Sequence, residues 1–248
     1  MAPSTPGTAT GTEKEVVRAY FNGTGFERWR RIYSDNQDVN KVQEHIRRGH
    51  NKTVTAVLNW LQEDGDVQTR SFCDAGCGVG SLTLPLAAMG ARRITASDLS
   101  EAMLAEARQR AVAAGISAEQ VRFHVADLEA LRGTFHTVVC LDVFIHYPQK
   151  AAEAMVRHLA SLSQDRLMVS FAPYSLPLAL LKAIGSVFPG ASKVTRAYTL
   201  KESGIVTAAA AAGLRPTGRR LFCSAPFYFS RLLEFQRRES FTLHRVVR

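Results

Sequence analysis

Residues 72–80 read FCDAGCGVG, in which Asp74 is followed by glycines at every second position. Residues 70–73 predict a short strand before it, and the apolar run 81–89 predicts a helix after it. Glycines at such a turn let the backbone bend sharply and let a ligand approach the main chain. The turn also brings a helix N-terminus to the carboxyl edge of a sheet, where open α/β sheets bind ligands. The stretch therefore predicts a nucleotide-like ligand.

Three further strand-like segments end near an acid. They are residues 93–98, ending in Asp98; residues 121–125, followed by Asp127; and residues 137–142, ending in Asp142. With the G-x-G-x-G spacing, this pattern resembles the class I S-adenosylmethionine (SAM)-dependent methyltransferases, whereas a dinucleotide fingerprint is G-x-G-x-x-G. A glycine-rich turn in another kind of α/β domain is the alternative.

The resemblance implies an α/β, Rossmann-like class I methyltransferase fold, with a seven-stranded, mostly parallel sheet whose last strand is antiparallel. It implies SAM as co-substrate, with Asp98 accepting hydrogen bonds from the ribose and Asp127 lying near the adenine edge. The predicted cofactor-binding residues are Asp74, Gly76, Gly78, Gly80, Asp98, Leu99, Asp127, Leu128 and Asp142.

The chain divides into a disordered N-terminus (1–12), an N-terminal helical cap (13–65), a catalytic domain (66–235) and a basic tail (236–248). The cap is predicted to hold two helices, near Glu13–Phe21 and Val39–Leu61. A helical insertion after the fifth strand, 173–198, interrupts the catalytic domain. Its apolar part, LPLALLKAIGSVF, is either a buried connector helix or a lid over an apolar ligand.

Charge is unevenly distributed along the 248 residues, whose net charge is +9. Residues 53–214 carry fourteen basic and fourteen acidic side chains, whereas residues 18–52 carry eight and four and residues 215–248 carry eight and two. The basic flanks are either solvated surface or a contact with an anionic partner such as an acidic substrate, nucleic acid or a membrane. The four cysteines predict reduced, buried thiols, and no residue spacing predicts a metal site.

Residues 20–33, YFNGTGFERWRRIY, resemble a much narrower family. Together with DVNKVQ, IRRGH, LDVFIHYP (141–148) and FYFSRLLE (227–234), they are similar to the magnesium-protoporphyrin IX O-methyltransferases of chlorophyll biosynthesis, over residues 13–234. The resemblance implies methyl transfer from SAM to a propionate of Mg-protoporphyrin IX, giving the monomethyl ester. Mg²⁺ enters only as part of the porphyrin. Two partners are implied, the porphyrin-binding subunit of magnesium chelatase and a peripheral membrane surface. The implied location is the cytoplasm of a photosynthetic bacterium, at the thylakoid or inner membrane.

The same resemblance makes Tyr33 and His146 the predicted catalytic residues. Packing of Tyr33 within the helices and of His146 beside Tyr147 is the structural alternative. A carboxylate nucleophile is already ionised at neutral pH, so positioning and exclusion of water should supply most of the catalysis. The predicted substrate-binding residues are Arg30, Arg31, Leu180, Ile184, Lys193 and Arg196.

Two other functions remain open from the sequence. The basic flanks suggest an RNA methyltransferase, although LDVFIHYP stands where such enzymes carry an N-P-P-Y-like run. The chain could also be an inactive SAM-binding partner, because such a module would keep the same acids and glycines. Nucleic acid is not a predicted partner.

Overall fold

The computed structural model describes residues 11–33, 39–174 and 198–237. The helices are α1 (Gly11–Asn22), α2 (Thr24–Ile32), α3 (Lys41–Asp64), α4 (Thr83–Ala88), α5 (Glu101–Ala113), α6 (Gln149–Leu162) and α7 (Glu202–Ala211). The strands are β1 (Ser71–Ala75), β2 (Arg93–Asp98), β3 (Val121–Val125), β4 (Phe135–Cys140), β5 (Ser163–Phe171), β6 (Leu214–Ala225) and β7 (Tyr228–Arg237). Within these ranges no helix is both long and apolar enough to cross a bilayer.

The seven strands form one sheet in the order β3-β2-β1-β4-β5-β7-β6. β1 pairs in parallel with β2 on one side and with β4 on the other, so the order of the strands reverses there. β7 runs antiparallel to both β5 and β6. The predicted Rossmann-like class I fold is confirmed, and the switch between β1 and β4 is where such sheets bind ligands.

Helices cover both faces of the sheet, and alternate residues of the central strands enter the two layers. In β4, Val138 packs with α6 and α7, whereas Val139 packs with α3 and α4. Leu167 and Met168 of β5 divide in the same way. Because side chains alternate across a strand, the apolar runs of β4 and β5 require cover on both faces.

The N-terminal region holds three helices where the sequence predicted two. Gly23 separates α1 from α2, and the block of residues 20–33 folds as the end of α1 plus α2. α3 begins after Asn40, whose side chain accepts a hydrogen bond from the Gln43 amide in a capping box. Gly65 caps the C-terminus of α3 and adopts φ +69°.

Several predicted boundaries differ from the structure. α1 begins at Gly11, inside the segment predicted to be disordered, and β7 continues to Arg237, two residues past the predicted domain end. The ladder explains the second difference, since Gln236 still pairs with Arg166 of β5. The predicted insertion lies mostly outside the described residues. Its base is described: the Tyr174 amide donates to the Leu200 carbonyl at 2.7 Å and the Tyr198 amide to the Ile145 carbonyl at 2.7 Å.

A buried ion cluster attaches the end of α3 to the sheet. Arg166 of β5 lies 2.6 Å from Asp64 of α3 and 3.3 Å from Glu234 of β7. Arg166 is 7% exposed and Glu234 only 2%. Thr217 donates to the second oxygen of Glu234 at 2.7 Å, and Arg219 also reaches Asp64, at 2.9 Å. A buried carboxylate such as Glu234 depends on its partners, because isolating it in the core is costly.

We expect Arg166→Met to lower the free energy of unfolding by about 3 kcal/mol, because it leaves Glu234 buried with a weakened counter-charge. Urea denaturation measures the change. Arg70→Met is the matched control, since Arg70 pairs with Asp66 at 2.7 Å but its side chain is 46% exposed. That variant should lose less than about 1 kcal/mol. Equal losses in the two variants would contradict a stabilising role for the buried cluster.

Candidate active site

A pocket lies at the carboxyl ends of the parallel strands, beneath the N-terminal helices. About 820 Å³ of empty space lies within it, part of it open to solvent. Its walls come from the loops after four strands and from the helices above them. They include Gly76, Cys77, Gly78, Ser81, Asp98, Leu99, Ala126, Asp127, Leu128, Leu141, Asp142, Val143, His146 and Tyr147 from the sheet side, and Val17, Phe21, Trp29, Tyr33, His50 and Met103 from the helices.

The glycine turn begins where β1 ends and is attached to β2. The amides of Gly76 and Cys77 both donate to the Ser97 carbonyl, at 2.8 Å each. Gly76 has φ +82°, and a Cβ there would collide with the side chain of Val143. Gly78 has φ +54°, and a Cβ there would meet no protein atom within 4 Å. Gly76 is thus required for packing, whereas Gly78 leaves open space for a ligand.

Asp98, at the end of β2, joins the glycine turn to α5. The Gly78 amide donates to Asp98 Oδ2 at 2.9 Å, and the Ser100 amide donates to Oδ1 at 2.8 Å. Burial raises the pKa of Asp98 above its ordinary value, although these backbone donors oppose that change. Each carboxylate oxygen keeps a further lone pair, so Asp98 can also accept hydrogen bonds from a ligand in the pocket.

Two of the residues predicted to bind the cofactor do not appear among the described residues that line the pocket. Asp74 lies behind the turn, where Thr83 Oγ1 donates to its Oδ2 at 2.5 Å, and burial raises its pKa to about 6. Gly80 adopts φ +87°, with Leu84 beside it. Both residues shape the turn between β1 and α4. Leu99, Asp127 and Leu128 do lie in the pocket wall.

Asp142 follows β4 in a left-handed conformation, φ +58°, and holds a network of side chains. Its Oδ1 accepts from Ser170 at 2.9 Å, and the Tyr228 hydroxyl lies 3.0 and 2.9 Å from the two oxygens. His50 Nδ1 lies 2.7 Å from Oδ2. Burial alone would raise the pKa of Asp142, but the hydrogen bonds from His50, Ser170 and Tyr228 hold it below its usual range. Its carboxylate is therefore engaged with side chains of the protein. Asp142 also lines the pocket, and its role in cofactor binding stays a prediction.

A chain of aromatic rings covers the same end of the pocket. The ring centroid of Tyr33 lies 4.4 Å from that of His50 and 5.4 Å from that of Trp29. Phe21 lies 6.2 Å from Trp29 and 5.2 Å from His146. The structure thus brings Tyr33 and His146 to one end of one pocket. The Tyr33 carbonyl accepts from Arg110 of α5 at 2.7 Å, which fixes the end of α2 over the site.

Two family models match the chain. Residues 72–165 match a methyltransferase domain, and residues 140–237 match the C-terminus of magnesium-protoporphyrin IX methyltransferase. The magnesium-protoporphyrin O-methyltransferase of Synechocystis sp. is 51% identical over 222 residues, covering 90% of this chain and 95% of that protein. The chloroplastic enzyme of Arabidopsis thaliana is 50% identical over 224 residues, covering 90% of this chain and 71% of that protein. This chain belongs to the magnesium-protoporphyrin O-methyltransferase family.

A solved structure agrees with this assignment. The crystal structure of the Synechocystis magnesium protoporphyrin IX methyltransferase with bound S-adenosylhomocysteine is 50% identical and superposes with a TM-score of 0.83, covering 91% of this chain and 100% of that one. A second crystal structure, with bound SAM, gives a TM-score of 0.79 at 43% identity, covering 96% of this chain and 100% of that one.

The two residues predicted to be catalytic in this family member are both uncharged at neutral pH. Burial, and then the charges of Asp142 and Asp98, raise the pKa of Tyr33 well above its ordinary value, so it remains a phenol and a hydrogen-bond donor. Burial lowers the pKa of His146 to about 4, against the opposing charge of Asp142. His146 Nδ1 has no hydrogen-bond partner among the described residues.

Of the residues predicted to bind the acceptor, Arg30 and Arg31 are not among the described residues that line the pocket. Arg30 pairs with Glu27 at 3.0 Å, and the Arg31 carbonyl accepts from Arg47 at 2.6 Å. Leu180, Ile184, Lys193 and Arg196 lie outside the described residues. Within the described ranges the structure has no cluster of three His, Cys, Asp or Glu side chains that could hold a metal ion.

Sequence reasoning assigned no role to His50, Ser170 or Tyr228. His50 and Tyr228 do lie in two of the blocks that carry the family resemblance, IRRGH and FYFSRLLE. Their position in these blocks is the sequence signal that could have identified them as functional residues. Their joint contact with Asp142 connects residues 92 and 86 positions apart, which no local pattern reports.

We expect the low pKa of His146 to make the free energy of unfolding depend on pH. The unfolded chain takes up a proton near pH 6.5, but the folded protein does so only near pH 4. Stability should therefore fall as the pH is lowered from 6.5 to 4, by about 1–3 kcal/mol from this residue. In His146→Gln that part of the pH dependence should disappear.

Thermal or urea denaturation of the ligand-free protein at several pH values measures this dependence. His124→Gln, which removes an exposed histidine on β3, is the control and should follow the wild-type profile. Parallel profiles for wild type and His146→Gln would show that burial does not hold His146 neutral.

Proposed function

We propose that this protein transfers the methyl group of SAM to a propionate carboxylate of Mg-protoporphyrin IX, forming the monomethyl ester and S-adenosylhomocysteine. The observation that carries the proposal is that one pocket holds an open glycine turn beside Asp98 and, at its other end, two uncharged side chains, Tyr33 and His146. Half of the aligned residues are identical to enzymes named for this substrate.

The described residues fit SAM on one side of the pocket. The space beside Gly78 admits a ligand against the main chain, and Asp98 retains acceptor capacity for ribose hydroxyls. Asp127 and Leu128, after β3, line the wall next to Asp98, where the adenine would lie. SAM supplies an electrophilic methyl group on a positively charged sulfur.

The acceptor side does not need a strong base. A propionate with an ordinary pKa of about 4 to 5 is ionised at neutral pH. One of its oxygens forms a bond to the methyl carbon while the sulfur–methyl bond breaks, and the electron pair of that bond remains on sulfur. Opposite charges are neutralised in this step, so a cation bound tightly to the attacking oxygen would slow it. The uncharged donors Tyr33 and His146 can orient that oxygen without this penalty. The ring cluster, which is the chain of rings described above, excludes water.

The porphyrin disc would extend from this end of the pocket toward the insertion after β5. The base of the insertion lies beside His146, because the Tyr198 amide bonds to the carbonyl of the preceding residue, Ile145. The apolar residues Leu180 and Ile184 would then cover the disc. Arg30, Arg31, Lys193 and Arg196 would at most make loose, solvated contacts with the propionates.

We further propose peripheral contact with an anionic membrane surface and direct receipt of the porphyrin from the porphyrin-binding subunit of magnesium chelatase. The net charge of +9 and its concentration in the flanks of the chain support the first contact. The poor solubility of a large apolar disc supports the second. Both would place the protein in the cytoplasm of a photosynthetic bacterium, near the thylakoid or inner membrane.

The cofactor site is tested by Gly78→Ala, with Gly115→Ala as the matched control. Both glycines have positive φ, +54° and +70°, and a Cβ at either meets nothing within 4 Å. Each variant should therefore lose about 1–2 kcal/mol of stability from the left-handed backbone. Only the new methyl group at residue 78 would enter the space for SAM, so Gly78→Ala should weaken SAM binding at least about tenfold by calorimetry. Unchanged SAM affinity in Gly78→Ala would remove the glycine turn from the binding site.

The reaction is tested by incubation with isotope-labelled SAM and, in separate arms, Mg-protoporphyrin IX, total RNA or no acceptor. We expect labelled monomethyl ester only in the first arm. Tyr33→Phe should lower kcat at least about tenfold with unchanged SAM affinity, because its hydroxyl acts on the acceptor. The control is Tyr20→Phe, which removes the hydroxyl of a buried α1 tyrosine that is not among the pocket-lining residues described here. Label in RNA, or in no acceptor at all, would refute the proposed substrate.

A further inference from the structure

The imidazole of His50 is buried in the pocket wall with one nitrogen bound and the other without a partner. The residue is 6% exposed, and its Nδ1 lies 2.7 Å from Asp142 Oδ2. Among the described residues, its Nε2 has no hydrogen-bond partner. A buried polar atom in this condition is destabilising unless a ligand completes its hydrogen bond.

The surroundings of Asp142 determine how His50 is oriented. The carboxylate can only accept hydrogen bonds, so the hydrogen of the His50–Asp142 contact lies on Nδ1. Ser170 and Tyr228 hold Asp142 from the other side, and Thr53 lies 3.1 Å from the Tyr228 hydroxyl. Nε2 is consequently the only ring nitrogen that remains for a ligand.

The strand order indicates which ligand this is. Asp98 ends β2 and Asp127 follows β3, on one side of β1. Asp142 follows β4, on the other side, and its partners Ser170 and Tyr228 belong to β5 and β7. Neighbouring strands lie about 4.8 Å apart, so the His50–Asp142 pair is roughly two strand spacings from the ribose site. His50 also lies against the ring of Tyr33, at the acceptor end.

We propose that His50 Nε2 is a hydrogen-bond partner of the reacting carboxyl group of the acceptor, with Asp142 orienting the ring. The bond goes to the carboxylate oxygen that does not attack, which leaves the attacking oxygen to Tyr33 and His146. This inference rests on the proposed function, because it requires a carboxyl group at that end of the pocket.

The proton balance of this contact is simple. An ionised carboxylate accepts only from a nitrogen that bears a hydrogen, so both ring nitrogens carry a hydrogen in the bound complex. Asp142 balances the positive charge of the ring, and the His50–Asp142 pair presents no net charge to the acceptor. The second proton of the ring is taken up from solution when the acceptor binds. After methyl transfer the ester carbonyl is a weaker acceptor than the carboxylate, and the proton returns to solvent as the product leaves. No proton is exchanged in the methyl-transfer step itself.

Two substitutions test the contacts of the two ring nitrogens of His50 independently. The amide nitrogen of Asn occupies the position of Nδ1, so His50→Asn keeps the bond to Asp142 and removes Nε2. The amide nitrogen of Gln occupies the position of Nε2, so His50→Gln keeps a donor for the acceptor and loses the bond to Asp142. A purely structural histidine should be replaced better by Asn, whereas a histidine that contacts the acceptor should be replaced better by Gln.

We expect His50→Asn to keep the wild-type melting temperature and SAM affinity but to lose about 10- to 100-fold in kcat/KM for Mg-protoporphyrin IX, the scale of a charge-assisted hydrogen bond. His50→Gln should recover part of that loss despite a lower melting temperature. Near wild-type turnover in His50→Asn, with loss confined to His50→Gln, would overturn the proposal in favour of a structural role.

A binding measurement tests the contact without turnover. Wild type and His50→Asn are titrated with Mg-protoporphyrin IX and with its dimethyl ester, which lacks both carboxylates, by quenching of protein fluorescence in the presence of S-adenosylhomocysteine. The ratio of the Kd for the dimethyl ester to the Kd for the free acid should be at least about tenfold larger in wild type than in His50→Asn. An equal preference in both proteins would overturn the His50 contact alone, with the methyltransferase activity intact. Absence of both Mg-protoporphyrin binding and its methylation in wild type would overturn the proposed function and this inference together.

Discussion

The acceptor side of the pocket depends on one buried carboxylate, that of Asp142. It lies after β4 in a left-handed conformation and accepts hydrogen bonds from three elements: α3 through His50, β5 through Ser170 and β7 through Tyr228. The neighbouring Gly49 permits this arrangement, because any Cβ there would collide with the Tyr228 ring. Burying a charge is tolerated only where such donors surround it. Because the buried Asp142 carboxylate needs all of these donors, α3, β5 and β7 are held in one relative position at the pocket floor.

Asp98 has the corresponding role on the cofactor side. Its carboxylate accepts from the glycine turn and from the start of α5, and Ser100 at that start lies 2.8 Å from the side chain of Asn22 in the N-terminal cap. The glycine turn and the cap are thus attached to the same short segment. Between the two carboxylates the ring cluster contains Tyr33 and His146 without placing a further charge there. A cationic sulfur and an anionic oxygen can then react in surroundings where water does not screen their attraction.

Local patterns predicted much of the sheet. β2 and β3 have the predicted bounds, and Ser100 caps α5. Each of these features depends on residues close together in the chain: alternating apolar positions, a cap or a turn. The third N-terminal helix was missed, since the nine residues of α2, TGFERWRRI, include only three large apolar side chains. The predicted end at residue 235 was too early, because pairing with β5 continues through Gln236.

The sequence by itself determined the class of fold, the family and the position of the glycine turn, because those features are written in contiguous residues and their spacing. Only the tertiary structure decided which polar groups meet. Asp74 and Asp142 look alike in the sequence, as acids near the ends of strands, yet Asp74 turns toward Thr83 behind the glycine turn and Asp142 becomes the centre of a buried network. The reason is physical: a carboxylate in the core takes its role from the donors that packing brings to it, and those donors come from elements that are distant in the chain.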